Sequence, residues 1–416
     1  MVSLYWWKDV YEYLYWLTTV GLDPARQQTP CVIIGGMASV NPRPMVGSFH
    51  YAVIGDGEAV IDGLLDALEK GSDPYAVEGV WNPEGETVPA VEPEIPQDVY
   101  VENRQSRITR IEIARGCKSR CPFCQLAFTK PYREQPFDAV VSALEKCSTK
   151  QVALFAPNRT SYSRLYELDA KVQELGKNNI GSDTRLDMVQ KFESIDCVRF
   201  GVEAFGERTR RKFHKVPTNN SVIEGILYVA HRLKKPNGKP HKSAVCYVIG
   251  DLPGEGSEDV GEFYDMLVEL DGKLRERFTL FLSMSAFAPA PFTPMWGCGI
   301  HPYADLGSVF ARRPHFERLV IATRGGHVPA PARLCQMLTI RGDERAAPVL
   351  RWLGSRKGRA TFAASGKQAF RAGKTIEATC RKVGFPPEDI YREWDQNEPP
   401  PWANTQAIIP YKQRWN

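Results

Sequence analysis

Cysteine is sparse in this chain, with ten in 416 residues. That density excludes a disulfide-built scaffold and fits a reduced compartment. No run of about 18 apolar residues occurs, so no membrane-spanning helix is expected. The start, Met1-Val-Ser-Leu-Tyr-Trp-Trp-Lys-Asp9, has no basic stretch leading into an apolar core and does not read as a signal peptide. Excess charge is also missing: 43% of residues are hydrophobic and 25% charged, which excludes a disordered chain. Histidine is scarce, and none precedes His50. What remains is a cytoplasmic globular protein long enough for two or three domains.

Charge is present but unevenly placed. Residues 301–416 hold 19 Lys and Arg against 10 Asp and Glu, and the rest of the chain holds 34 against 39. A basic C-terminal third suits nucleic acid or a phosphorylated substrate, and equally an arginine-rich solvated surface. Basic runs at 208–215 and 232–242 could extend such a rim. Trp296, Trp352, Trp394, Trp402 and Trp415 could stack on bases, though core packing is the commoner use of tryptophan.

Three of the cysteines are not scattered. Cys117, Cys121 and Cys124 stand in Ala114-Arg-Gly-Cys-Lys-Ser-Arg-Cys-Pro-Phe-Cys-Gln125. Three thiolates at this spacing can hold three irons of a [4Fe–4S] cluster and leave the fourth open to a substrate. Zinc is the competing reading, but it wants a fourth ligand nearby. The next histidine is His214, and no second close cysteine pair follows. The other seven cysteines read as small buried hydrophobes, Cys298 included, although its aromatic loop makes it a conceivable thiol donor.

Elements alternate along the chain. Residues 10–20 form a helix, 31–36 a strand ending in glycines, 51–55 a second strand, and 59–70 an amphipathic helix. Residues 71–105, with five prolines, read as a linker or extended hairpin. Strands then follow at 108–114, 151–156, 179–182, 196–202, 243–249 and 278–286. Helices lie between them at 137–146, 162–175, 220–234 and 259–270. Repeated βα units imply a parallel sheet, and about six suit an incomplete barrel. Asn158, Ser182, Arg185, Glu203 and Gly250 fall at C-terminal strand ends, where function gathers in such folds.

With this order of elements, the cysteine loop resembles the signature of the radical S-adenosylmethionine (SAM) superfamily, with the aromatic Phe123 before the third cysteine. Gly201-Val-Glu-Ala-Phe-Gly-Glu-Arg-Thr-Arg-Arg211 resembles the family's fourth-strand segment. Val248-Ile-Gly-Asp-Leu-Pro-Gly-Glu255 and Ala286-Phe-Ala-Pro-Ala-Pro-Phe-Thr-Pro-Met-Trp296 are similar to segments of the branch that carries an N-terminal cobalamin-binding-type domain. The stretch from Gly35 to Glu58 is similar to the second half of that domain. Thr339-Ile-Arg-Gly-Asp343 and Pro400-Pro-Trp402 also match some members. The ligand motif D-x-H-x-x-G is absent, so the domain reads as truncated and cobalamin as unlikely to bind through a histidine.

The resemblance implies an α/β protein: a partial (β/α)6 radical SAM barrel with a truncated Rossmann-like domain and a basic C-terminal extension. The expected divisions are 1–72, a linker at 73–105, the barrel at 106–300, and a substrate-binding extension at 301–416. It implies that Cys117, Cys121 and Cys124 ligate the cluster and that SAM yields a 5′-deoxyadenosyl radical, driven by an external one-electron reductant. Phe123 would pack near the adenine or shield the cluster. Glu203 would contact SAM or pair with Arg185 or Arg208. Ser182 and Arg185 would meet the methionyl carboxylate. Asn158 would hydrogen-bond nearby or only shape a turn, and Gly250 would admit the adenine or only close a turn.

The expected reaction is a rearrangement or C–C bond modification of a modified base in nucleic acid. A cobalamin-dependent methyltransferase and a metal-stabilised nucleic-acid-binding module are the alternatives. A methylthiotransferase is a weaker third, because only Cys31 precedes Cys117 to build a second cluster.

Overall fold

In the computed structural model, the described residues are 1–96, 100–103, 105–181, 183–192, 194–215, 217–310, 313–324, 329–395 and 397–409. The chain opens with a three-stranded parallel sheet in the order β1 (Val2–Ser3), β2 (Ile33–Gly35), β3 (Tyr51–Val53). Helix α1 (Trp7–Val20) connects β1 to β2, and α2 (Ile61–Lys70) follows β3. Asp9 starts α1 by accepting from the backbone N–H of Tyr5 and Trp6 at 2.9 and 2.7 Å, and Gly21 ends it at φ 71°. Helix α2 covers one face of the sheet through Val60 and Leu64 packed on Ile33, Val53, Val80 and Ala90.

Among its described residues, the segment after α2 carries one strand, near its end. Strand β4 (Tyr100–Asn103) runs antiparallel to β5 (Ile108–Glu112), from Tyr100 opposite Ile111 to Asn103 opposite Ile108. Before it, Val80, Trp81 and Ala90 are buried against the first sheet.

From β5 the parallel barrel is built. After β5 come β6 (Ala114–Arg115), α3 (Leu126–Thr129), β7 (Arg133–Glu134), α4 (Phe137–Lys146), β8 (Gln151–Phe155), α5 (Leu165–Glu174) and β9 (Asn178–Asn179). Next are β10 (Arg199–Glu203), α6 (Glu207–Lys212), α7 (Asn219–His231), β11 (Ser243–Gly250), α8 (Ser257–Lys273) and β12 (Phe278–Ala286). The sheet orders are β4-β5-β8-β9 and β10-β11-β12-β13, joined by a parallel bridge between Asp183 and Arg199. The sheets do not close, so this is the expected partial barrel. Alternate residues of the strands and the inner faces of α4, α5, α7 and α8 form one core that includes Val152, Leu154, Phe200, Val248, Leu267 and Leu282.

Two details depart from the sequence reading. The strand expected at 179–182 is limited to β9, because Asn179 spends its side-chain oxygen on the Gly181 N–H rather than continuing the ladder. A seventh parallel strand, β13 (Leu319–Arg324), pairs with β12 from within the segment read as an extension. Its plain apolar run, Leu319-Val-Ile-Ala322, carried that signal.

Beyond β13 the chain is helical: α9 (Ala330–Arg341), α10 (Ala347–Gly354), α11 (Arg356–Phe362), α12 (Ala369–Lys382) and α13 (Glu388–Tyr391). These helices bury Leu334, Leu338, Leu350, Leu353 and Ile376 in one core with Val10, Leu14 and Leu17 of α1 and with Phe213 and Phe287 from the barrel mouth. The two chain ends therefore meet over the C-terminal ends of the barrel strands. No helix among the described residues is long and apolar enough to cross a membrane. Trp296 and Trp402 are buried and pack with Trp394 and Phe292 at centroid distances of 5.6–6.0 Å, which is the core-packing use of tryptophan. Trp415 lies outside the described residues.

Candidate active site

The cysteine loop leaves β6 through Gly116, whose φ is 75°. A Cβ there would stand 2.4 Å from the Lys130 carbonyl oxygen and 2.5 Å from that of Pro131. Both the left-handed backbone and the close approach require glycine. Gly116→Ala is therefore expected to cost more than ~1 kcal/mol of stability and to displace the loop. Iron content after anaerobic reconstitution should fall while far-UV circular dichroism stays close to that of the parent.

The loop is held at both ends. Lys118 reaches Glu134 and the Ser161 carbonyl, each at 3.1 Å, and lies 4.5 Å above the Tyr132 ring. Glu134 also accepts from the Tyr132 hydroxyl and from the Ser163 N–H and hydroxyl. Burial would raise its pKa, but these donors hold it at about 2. At the far end the Cys124 N–H donates to the Cys121 carbonyl at 2.9 Å, and the Cys124 carbonyl accepts from the Ala127 N–H at the start of α3 at 3.0 Å.

Burial pushes the Cys121 thiol up to about 11, with the neighbouring Lys215 ammonium opposing it. Burial also raises Cys124, and both thiols sense Cys117. Such thiols ionise only when a metal replaces the proton, as in a cluster ligand. Among the described residues no three His, Cys, Asp or Glu side chains, these cysteines included, converge on a single-ion site. Three cysteines at this spacing are a donor set that fits a multi-iron cluster with one iron left open.

Glu203 ends β10 at φ 68°, at an irregularity in the ladder to β11. Its carboxylate folds back over Gly201, where a Cβ would stand 2.1 Å from Oε1. Its ion partner is Lys215 at 3.1 Å, not Arg185 or Arg208. Burial works against the Lys215 charge, but Glu203 and the Cys121 thiol hold its pKa above the ordinary lysine value. Lys215 also stands 5.9 Å from the Phe123 ring centroid, and Phe123 packs edge-on to Phe213 at 6.1 Å. Arg210, fully buried, ties this turn together by donating to the carbonyls of Phe205 and Pro217 at 2.6 and 2.9 Å and to Asn219.

Arg185 grips Asp187 through two bonds of 3.0 and 2.6 Å, which hold its pKa above the ordinary arginine value. Asn158 accepts from the Thr160 hydroxyl at 2.6 Å and opens a 3-10 turn. Gly250 closes β11, where a Cβ would lie 3.1 Å from the Met284 sulfur, and it lines a separate cavity of about 920 Å³. Ser182 lies outside the described residues. Lys215 was missed as a site residue because it sits in a basic run. Arg208 and Arg211 of that run are exposed, and a run of like residues does not reveal which member turns inward.

Two cavities flank the cysteine loop. One, of about 550 Å³, lies between the C-terminal ends of β2 and β3 and the loop base, with Gly35, Gly55, Glu112 and Gly116 among its walls. Beneath it Asp56, 2% exposed, accepts from Lys130 at 2.7 Å and Arg133 at 2.8 Å, with Arg115 at 3.3 Å. The other, of about 250 Å³, touches Cys124 and is lined by Tyr5, Trp6, Trp7 and Asn41.

Comparison with known proteins bears on this arrangement. Residues 111–267 match the family model of the radical SAM superfamily. A Methanocaldococcus jannaschii protein provisionally named a methylthiotransferase (MJ0865) is 23% identical over 240 residues, 49% of this chain and 52% of that one. The chain thus spans about half the length of that relative. The uncharacterized protein MJ0966 of the same organism is 24% identical over 343 residues, 77% of this chain and 71% of that one. Among solved structures, the cobalamin-dependent S-adenosylmethionine radical enzyme OxsB, with aqua-cobalamin and S-adenosylmethionine bound, aligns at 15% identity. That alignment covers 57% of this chain and 39% of OxsB at a TM-score of 0.42. Its apo form aligns at 12% identity over 92% and 62%, with a TM-score of 0.45. The expectation against cobalamin gains no support from these comparisons. The cysteine loop, the open parallel barrel and the family match agree that residues 111–267 form a radical SAM domain.

Proposed function

We propose that this enzyme rearranges or modifies a carbon framework in a base-like substrate, and that it does so without cobalamin. The observation that carries the reading is the cysteine loop opening onto an aromatic-lined chamber at Cys124. With a [4Fe–4S] cluster on Cys117, Cys121 and Cys124 and SAM on the open iron, the chemistry supplied is one-electron cleavage of the sulfonium to a hydrogen-abstracting 5′-deoxyadenosyl radical, with the electron drawn from an external reductant. The chain's own contribution is orientation and exclusion of water. Lys215, paired with Glu203, sits beside the loop, and Phe123 packs on the buried Phe213 next to it.

Among the described residues, no histidine lines the 550 Å³ chamber to serve as a cobalamin ligand. His50, the first in the chain, uses both ring nitrogens on backbone, with the Val32 N–H at 2.9 Å and the Gln27 carbonyl at 2.7 Å. A cobalamin-dependent methyltransferase is the second reading, favoured by the position of that chamber between a parallel sheet edge and the cysteine loop. An absorbance titration with aquacobalamin separates the two, since saturable binding supports the second. For the first, anaerobic reconstituted protein with SAM and dithionite should release 5′-deoxyadenosine faster when nucleosides or RNA are added. No stimulation by any of them would remove the base-like substrate.

Lys215 places a positive charge beside Cys121 and Cys124. Lys215→Met should lower the cluster's reduction potential. An interaction of ~1 kcal/mol corresponds to roughly 40 mV for a one-electron couple. An EPR-monitored redox titration reads this directly, apart from turnover.

A further inference from the structure

The 250 Å³ chamber at Cys124 carries a recognition element of its own. Asn41 lines it and is 1% exposed. Its amide nitrogen donates to two backbone carbonyls, those of Ile340 and Gly342, each at 2.9 Å. This fixes the orientation of the amide, since the flipped form would press its oxygen against both carbonyls. The side-chain oxygen Oδ1 is therefore the free end, and it is buried with no partner among the described residues. A buried carbonyl of this kind is an acceptor matched to a donor brought by a ligand.

Two other polar side chains on the chamber wall are engaged locally, and Gln336 also lines it. Gln125 donates to the Met37 carbonyl at 3.4 Å, and Thr339 to the Cys335 carbonyl at 3.1 Å. The remaining walls are mostly apolar and include Trp6, Trp7, Met37, Leu126, Ala288 and Ile340. Trp6 is 65% exposed and Tyr5 46%, which leaves two large aromatic faces uncovered beside the chamber.

We propose that this chamber binds a planar heteroaromatic ring that presents a lactam N–H to Asn41 Oδ1. The inference rests on the radical SAM reading above and names the substrate class of that site. Aromatic walls accept the faces of any base. The acceptor selects among bases, because a buried group left unpaired discriminates strongly against a ligand that lacks the matching hydrogen. Inosine and uridine carry such an N–H; 1-methylinosine and 3-methyluridine do not. The chamber holds a single base, so a larger substrate would insert one base and leave the rest outside.

The test is calorimetric binding of these four nucleosides to the anaerobically reconstituted protein, with SAM binding and SAM cleavage measured on the same samples. Inosine or uridine should bind at least about tenfold tighter than its N-methylated partner. Asn41→Ala should erase that difference. Trp6→Ala, at an exposed position that the fold does not need, should weaken parent and methylated forms alike. Equal binding of each pair, or no nucleoside binding while SAM is still cleaved, overturns this inference and leaves the radical SAM assignment standing. Loss of SAM affinity in Asn41→Ala, with nucleoside binding unchanged, also overturns it by assigning the chamber to SAM. Discriminating nucleoside binding without SAM cleavage supports the chamber and removes the function proposed above.

Discussion

Cys121→Ser is expected to lower bound iron from about four per chain to below about one, and to bring SAM cleavage down to the level of protein-free controls. The serine hydroxyl is nearly the same size, so the fold has no steric reason to change. What is lost is a soft ligand that becomes anionic on metal binding. Cys121 is the most buried of the three cysteines, and its thiol is pushed up to about 11 by burial. A serine there would have to ionise from a far higher pKa. Iron and sulfide analysis with thermal unfolding checks this: unchanged melting of the metal-free proteins, with iron lost, is the expected pair of results.

Asp56→Ala is expected to cost about 3 kcal/mol, the scale for breaking a buried ion pair on one side. Asp56 joins the first sheet to the base of the cysteine loop, with Lys130, Arg133 and Arg115 converging on one carboxylate. Removing it leaves three cations close together without their counter-charge. Asp56→Asn should cost less, because it keeps the shape and the bond from the Glu92 N–H at 3.2 Å. Burial alone would raise the Asp56 pKa, but the ion pairs with Lys130 and Arg133 outweigh it and hold it at about 2, below the ordinary 3.8. A depressed acid pKa stabilises the fold above the unfolded value and is lost as pH falls through the folded one. The charge-linked part, about 2 kcal/mol, should therefore be present at pH 7 and fade between about pH 4 and pH 2. Denaturant titrations of parent and Asp56→Asn at several pH values read this as a converging difference.

The parts of this architecture that follow from short-range pattern were legible in the sequence. Strand β12 and helix α4 occupy the residues expected of them, because an alternating apolar pattern and an amphipathic repeat are local signals. The cysteine loop was legible from spacing alone. The pairing of Glu203 with Lys215 was not, since it depends on a left-handed turn at His214, φ 57°, and on Arg210 folding the intervening loop. Nor was Asn41: an asparagine between Val40 and Pro42 reads as a turn residue until Ile340 and Gly342, three hundred positions away, are seen to occupy its amide. The C-terminal helices were read as a basic surface because their arginines are conspicuous. Yet Arg333 and Arg341 are buried there, donating to the His301 carbonyl and, in the case of Arg341, to the Trp296 and Cys298 carbonyls. Charge counting cannot tell a buried arginine clamp from a solvated one.

The central claim is that the loop of Cys117, Cys121 and Cys124 holds a SAM-cleaving cluster. The direct measurement is chromatographic detection of 5′-deoxyadenosine from anaerobically reconstituted protein given SAM and dithionite, beside the Cys121→Ser variant. The account predicts 5′-deoxyadenosine from the parent and none above background from the variant. Parent protein that carries about four irons per chain, binds SAM and releases no 5′-deoxyadenosine would contradict it.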